Sequence, residues 1–330
     1  MFVYIALLVL SLIIILLCCE LFTNGIEWLG KKLNAGDGVI GSIFSAVGTC
    51  LPETMVPVIA ILFSSGGAEG VDIGIGAIVG APFMLSTLAF FVTGASVLVF
   101  SKKRKTGLRM KVNNNILGRD LIFFAAVYSI GIMSSFVGVE SVRQLTAFTL
   151  ILYYIYYVFL TVRHDQKSVG SLEMLYVSKY IKISPNILSI LFQIALAISG
   201  IIAGAHIFVE NLKDVSNCIG ISTLVLSLVI TPIATELPEK FNSIIWISKK
   251  KDTLALGNIT GAMVFQSCIP VSIGILATSW QLDAKVVFSA LLSLLSALFV
   301  YLWIKARGGL SALPLLAGGI FYMVFIAFVF

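Results

Sequence analysis

Thr231-Pro-Ile-Ala-Thr-Glu-Leu-Pro-Glu-Lys240 sets Glu236, Glu239, Lys240 and Pro238 in the middle of an apolar segment running from about Cys218 to Trp246. An ionised side chain at the centre of a membrane helix costs roughly 2.5 to 3.5 kcal/mol on insertion scales, so three of them persist only facing a cavity, a partner or an ion. A second stretch repeats the pattern. Ser45-Ala-Val-Gly-Thr-Cys-Leu-Pro-Glu53 aligns with Thr231 to Glu239 at one constant offset and shares Thr49/Thr235, Leu51/Leu237, Pro52/Pro238 and Glu53/Glu239. Downstream of each copy, Gly76-Ala-Ile-Val-Gly-Ala81 is answered by Gly257-Asn-Ile-Thr-Gly-Ala262.

The surrounding chain reads as membrane. Of its 330 residues 59% are hydrophobic and only 12% charged, with a mean hydropathy of +1.05, which excludes an ordinary soluble domain. Cutting at polar, glycine-rich and charged breaks predicts ten spans, about 3–23, 38–63, 71–100, 118–138, 142–162, 186–209, 218–247, 252–279, 284–304 and 309–329. They are too long for barrel strands, so the fold class is an all-α membrane protein. Met1 to Cys19 has no basic n-region and no small-residue cleavage site, which reads as a first transmembrane helix. Cys18, Cys19, Cys50, Cys218 and Cys268 lack metal-finger spacing and read as reduced thiols packed among helices. The formal charge of +6 sits in short loops, where it orients the chain, so no nucleic-acid partner is implied.

Alternate loops differ in basic content. One set holds only Arg143, Lys213 and Lys285, Lys240 lies inside a span, and every other Lys and Arg falls in the second set. The positive-inside rule places that second set in the cytoplasm and both termini outside, as in a multi-pass protein of the plasma membrane. The run Lys102 to Lys105 reads as topological anchoring, with a grip on anionic lipid as the alternative. In this orientation the span of Glu53 runs outward and that of Glu239 inward. Two inverted five-helix repeats follow, 1–161 and 186–330, joined by a cytoplasmic linker at 162–185, with broken helices meeting at the midplane as in secondary transporters.

Proline inside a span frees the carbonyl four residues earlier, so Pro52 would release Gly48 and Pro238 would release Ala234. Carbonyls and carboxylates converging there make a hard oxygen site, which suits Ca²⁺ better than Mg²⁺. Thr49 and Thr235 lie four residues before the glutamates, on the same helix face. The alternative is that the prolines only kink packed helices and each protonated glutamate bonds a neighbour. Gly76/Gly80 and Gly257/Gly261 read as small-xxx-small packing pairs and not as a dinucleotide motif.

Gly48-Thr-Cys-Leu-Pro-Glu53 and Ala234-Thr-Glu-Leu-Pro-Glu239 resemble the paired alpha repeats of the cation/calcium exchanger superfamily, usually G-T-S-x-P-E. The resemblance implies a Ca²⁺/cation antiporter in which Glu53 and Glu239 ligate the ion beside Thr49 and Thr235. Sodium-coupled members usually carry a serine after the second glycine of each Gly-x-x-x-Gly and Asn or Asp four residues on. Here those places hold Ala81 with Leu85, and Ala262 with Gln266. Cys50 and Glu236 replace the motif serine. Most sodium-site oxygens are therefore missing, and an empty, crowded, dry pair of carboxylates would take protons in exchange for Ca²⁺. H⁺ is thus expected over Na⁺ as counter-ion, with an altered sodium/calcium exchanger or a non-transporting relative as alternatives.

Glu236 and Lys240 stand at i and i+4 in the order that pairs best, which reads as an internal ion pair; the alternative makes Lys240 a tethered cation competing for the carboxylates. Gln266 and Asn258 read either as neutral ligands or as interhelical hydrogen bonders. His164 falls in the linker and His206 near an interface. No cofactor is expected, only transported ions and the surrounding bilayer. An intramembrane enzyme would need a His-Glu-x-x-His helix or a paired-Asp motif, and neither is present. Solute uptake would need a larger midplane cavity than two close carboxylates leave.

Overall fold

Apolar runs of this length satisfy their backbone in lipid only by closing every hydrogen bond within the segment, and the chain does so as helices. The computed structural model describes residues 1–33, 50–63, 67–164, 174–181 and 184–329, with side chains at all of these except 162–164, 180–181 and 237–242. The helices are α1 (Phe2–Lys32), α2 (Leu51–Phe63), α3 (Ala68–Met84), α4 (Phe90–Phe100), α5 (Asn114–Met133), α6 (Glu140–His164), α7 (Tyr176–Ile181), α8 (Ile187–Ile219), α9 (Thr223–Ser248), α10 (Asp252–Ala277), α11 (Ala284–Arg307) and α12 (Ala312–Val329). A π-helical turn, Leu85–Ala89, joins α3 to α4. Among the described residues there is no strand, eight helical stretches are long and apolar enough to cross a membrane, and Leu51–Phe63 and the Thr223–Glu236 part of α9 are shorter apolar stretches.

Several boundaries differ from those expected. α1 continues past residue 23 because Asn24 and Gly25 are buried rather than looped out. α8 starts on a reciprocal cap between Asn186 and Ser189. It runs ten residues beyond the expected 209, keeping Lys213 paired with Glu210 at 3.0 Å, until Gly220 at φ +72° ends it. A left-handed residue of this kind favours glycine, which has no Cβ to clash. His164 closes α6 rather than lying in a loop.

The chain forms two compact units, Met1–Gly70 with Ile155–Gly220 and Val71–Tyr154 with Ile221–Phe330. In the first, α1 packs along α8 at glycine contacts: a Cβ on Gly200 would fall 2.2 Å from Cys18 Sγ, and one on Gly204 would fall 2.8 Å from Ile15 Cγ1. The helix α2 packs on both. Part of the expected linker is docked here. The Tyr176 amide donates to Asn24 Oδ1 (3.1 Å), the Val177 amide donates to Gln193 Oε1 (2.8 Å), and Leu175 is fully buried.

In the second unit, α3 lies against α9 with almost no side chain between them. A Cβ on Gly76 would fall 2.4 Å from the Leu224 carbonyl oxygen, and one on Gly80 would fall 2.2 Å from that of Leu228. The π turn widens the next stretch, and α11 stitches it: Ser293 Oγ donates to the Pro82 carbonyl (3.1 Å), Ser296 Oγ donates to that of Ser86, and the Ser86 and Ser293 hydroxyls are 2.8 Å apart. On α12, Gly318 admits the Thr87 carbonyl, while Gly94 of α4 meets the backbone at Ala312.

At one end of this unit three loops join. Arg104, expected in a solvated basic run, is instead buried and grips both carboxylate oxygens of Asp252, while also donating to the Ile247 carbonyl (3.2 Å) and the Arg109 carbonyl (3.4 Å). The Met110 amide donates to the Leu310 carbonyl at 3.0 Å. These loops all belong to the basic set. At the other end Arg143 donates to the Ser279 carbonyl, and the buried Trp280 indole donates to the Gly131 carbonyl (2.9 Å).

Candidate cation site

In the first unit, α2 starts at Leu51, so Pro52 occupies its first turn, where a missing amide costs no helical bond. Pro52 therefore interrupts nothing within the described helix. Glu53 follows it in that first turn and is 4% exposed. The partial positive charge of a helix N-terminus favours a carboxylate there. Thr54 Oγ1 donates to the Cys50 carbonyl (2.7 Å), and Cys50 is buried. The interior proline of α2 is Pro57, which frees the carbonyl of Glu53 itself. That proline stands four residues after the glutamate in the sequence, and its meaning was missed. Gly48 and Thr49 lie outside the described residues.

In the second unit the expected break is absent: α9 runs as one helix through Pro232 and Pro238. It carries a ladder of hydroxyls at four-residue intervals. Ser227 Oγ donates to the Ile73 carbonyl (2.7 Å), the Ser227 and Thr231 hydroxyls are 3.0 Å apart, and Thr235 Oγ1 donates to the Thr231 carbonyl (3.0 Å). The Thr235 proton is thus committed to the helix, and its oxygen lone pairs remain available as acceptors. Thr235 and Glu236 are 1% and 0% exposed, and Ala234 is half-buried. The side chains of Glu239 and Lys240 lie outside the described ones, so the proposed Glu236–Lys240 pair does too.

Against α9 packs α10. Gln266 is fully buried there, and neither its amide oxygen nor its nitrogen has a hydrogen-bond partner among the described residues. An interhelical hydrogen bond from Gln266, its expected alternative role, is thus not seen among the described residues. Asn258 is half-buried. Glu236 and Gln266 each sit roughly 20 Å along a helix of about 39 Å, taking 1.5 Å per residue, and so near its middle. Ala81, Leu85 and Ala262 are buried apolar positions. Among the described residues no group of three or more His, Cys, Asp or Glu side chains stands close enough to hold a metal ion.

Two other expectations change. Among the described residues Gly257 has nothing within 4 Å of a Cβ position, unlike the close-packed Gly76 and Gly80. His206 is exposed on α8. One buried carboxylate was overlooked: Asp120, at 2% exposure, accepts from Thr260 Oγ1 (2.9 Å) and pairs with Arg119 (3.0 Å). An acid inside an apolar run was the available signal, masked by the adjacent arginine. None of the five cysteines is joined in a disulfide; Cys19, Cys50 and Cys268 are buried, whereas Cys218 is exposed.

The family described as sodium/calcium exchanger protein matches residues 3–163 and 189–330. The chain belongs to the sodium/calcium exchanger family. This exchanger is accordingly an integral, multi-pass membrane transporter and not an enzyme. It is 25% identical over 296 residues to the uncharacterized membrane protein MJ0091 of Methanocaldococcus jannaschii, covering 90% of this chain and 88% of that one. Its fold is similar to the crystal structure of the H⁺/Ca²⁺ exchanger CAX, at a TM-score of 0.75 and 17% identity, over 98% of this chain and 82% of that one. The sodium-calcium exchanger NCX_Mj is similar at a TM-score of 0.56 and 20% identity, over 98% of this chain and 97% of that one.

Proposed function

We propose that this exchanger exports Ca²⁺, or a similar divalent cation, in exchange for H⁺. The observation that carries this reading is the burial of Glu53 and Glu236 within predominantly apolar helices, in a chain of this family. Glu53, Glu239 and Glu236 supply charge; Thr49, Thr235 and the carbonyls of Gly48 and Ala234 supply neutral oxygens; Gln266, Asn258, Cys50 and Lys240 stand as secondary members. Ca²⁺ takes six to eight oxygens in flexible geometry, which such a mixed set can provide. Each state that crosses the bilayer is neutralised, by the divalent ion or by protons, and exchange follows from that rule.

The chain would span the plasma membrane ten times, as inverted repeats 1–161 and 186–330 joined by 162–185, with both termini outside. Each compact unit draws segments from both halves, and the first unit pairs α1 with α8, the opening helices of the two repeats. Such pairing supports the repeat reading.

Proton exchange is favoured because Ala81, Leu85 and Ala262 offer no side-chain oxygen and are buried. Sodium exchange is the second reading, and the buried Gln266 amide favours it, since a neutral oxygen suits a monovalent ion. Calcium flux in proteoliposomes under separately imposed gradients decides between them. A pH gradient alone is expected to drive uptake. Flux driven by a sodium gradient at clamped equal pH, with no response to a pH gradient, overturns proton exchange in favour of sodium.

A further inference from the structure

A second charged place lies at the end of the second unit, where residues 108–114 run beside 308–313. The two segments are tied by the Met110 to Leu310 bond and by the Ala312 amide donating to the Leu108 carbonyl (3.0 Å). Between them opens a cavity of about 490 Å³. Arg109, Lys111 and Arg307 line it, and no acidic residue does.

The backbone bearing two of these cations is held from behind. Arg104 and Thr106 donate to the Arg109 carbonyl, the Lys111 amide donates to Asp252 Oδ2 (2.7 Å), and Thr253 donates to the Lys111 carbonyl (3.2 Å). Asp252 is itself neutralised by Arg104, so its charge does not offset the cavity's. Two further lining atoms, Ser311 Oγ and Asn114 Oδ1, are shut off from solvent without a hydrogen-bond partner among the described residues. Three exposed cations, two of them on backbone held from behind, with an unpartnered hydroxyl and an unpartnered amide oxygen beside them, match a phosphate that carries a neighbouring hydroxyl. The rim is apolar: Trp303 and Leu313 line the cavity, and Leu313 is 54% exposed, as is Leu302 of α11 at 53%. That combination is found where a headgroup and an acyl chain meet a membrane protein.

We propose that this cavity binds the phosphate of an anionic phospholipid, with the headgroup among Arg109, Lys111 and Arg307 and an acyl chain along the exposed leucines. The shared chemistry with free phosphate is the anion; the apolar rim is what selects lipid. Binding here would tie the 101–113 loop and the start of α12 to the bilayer surface, independently of which ion the exchanger carries.

The test uses the full-length protein in a neutral detergent, with thermal unfolding and native mass spectrometry as readouts. Phosphatidylglycerol is expected to raise the melting temperature and to remain bound, whereas phosphatidylcholine and millimolar inorganic phosphate do neither. Arg109→Gln with Arg307→Gln is expected to weaken phosphatidylglycerol binding by about tenfold or more, since each charge-assisted contact carries roughly that factor. Lys102→Gln with Lys105→Gln removes the same charge from exposed positions outside the cavity and is expected to leave binding unchanged. Ser311→Asp offers a second route, because it sets a negative charge beside the cavity at the residue before α12; it too should abolish the lipid effect. Equal loss in both double variants, retention in Ser311→Asp, or protection by inorganic phosphate matching that of the lipid would each overturn the proposal.

Discussion

A carboxylate buried in an apolar helix is held there by what it binds. Glu53→Gln and Glu239→Gln are each expected to abolish divalent-cation flux while leaving the protein folded, because an amide at membrane depth costs less than the carboxylate it replaces. Full flux from either purified variant would reject the site. Gln266 makes a sharper case, since both of its amide atoms are buried without partners among the described residues. Leaving such groups unsatisfied costs about 1–3 kcal/mol, so Gln266→Leu should raise thermal stability. If the amide serves the ion, flux falls in that same variant; a variant both less stable and fully active would show it to be structural. The burial of Glu53 and Glu236 was legible because charge in an apolar run has few explanations. Asp120 was not, because Arg119 beside it made the pair look like an ordinary helix end, and only the fold brings Thr260 to it.

Among helices, spacing alone told half the story of the glycines. Gly76 and Gly80 do bring two backbones together, whereas Gly257 has open space around it among the described residues, although both stretches show the same small-xxx-small pattern. The pattern gives a helix face, and what faces it is decided by another part of the chain. Gly80→Ala should therefore cost on the order of 1–3 kcal/mol by overpacking, while Gly257→Ala should stay within about 0.5 kcal/mol. Comparable melting temperatures for the two variants would contradict this packing. Prolines misled in a similar way. A break was expected at Pro238 because a proline removes one helical bond, yet α9 carries both of its prolines as a single helix. Neighbouring helices and nearby hydroxyls can satisfy the freed carbonyls, and a single sequence does not display those neighbours. Arg104 shows the same blindness for loops: nothing in the run Lys102 to Lys105 marks the one member that turns inward to Asp252. Removing one side of a buried pair strands the other, so Arg104→Ala should destabilise by roughly 3–5 kcal/mol in a thermal or denaturant measurement.

For the molecule as a whole, membrane insertion was plain from composition, and the partition of basic loops agrees with how the loops meet in the second unit. The side each end faces is a separate matter, which labelling can read. In a cysteine-free background, Lys105→Cys and Ser168→Cys should resist an impermeant thiol reagent added outside intact cells, and Gln281→Cys should react. The reverse pattern would invert the proposed orientation. What composition could not reveal is the division into two compact units, because contacts between distant segments leave no trace in local hydropathy.

The wide turn at Leu85–Ala89 has a consequence of phase. A π turn accommodates one residue more than an α turn, and that extra residue sets the azimuth of everything after it. Deleting one residue there would let the turn relax to α geometry and rotate α4 by about 100° about its axis. Gly94 would then swing away from the backbone at Ala312 that it now admits, and a bulkier flank would take its place. The serines of α11 hold that angular setting like a pin in a dial, so the aim of one helix is kept by the hydroxyls of another.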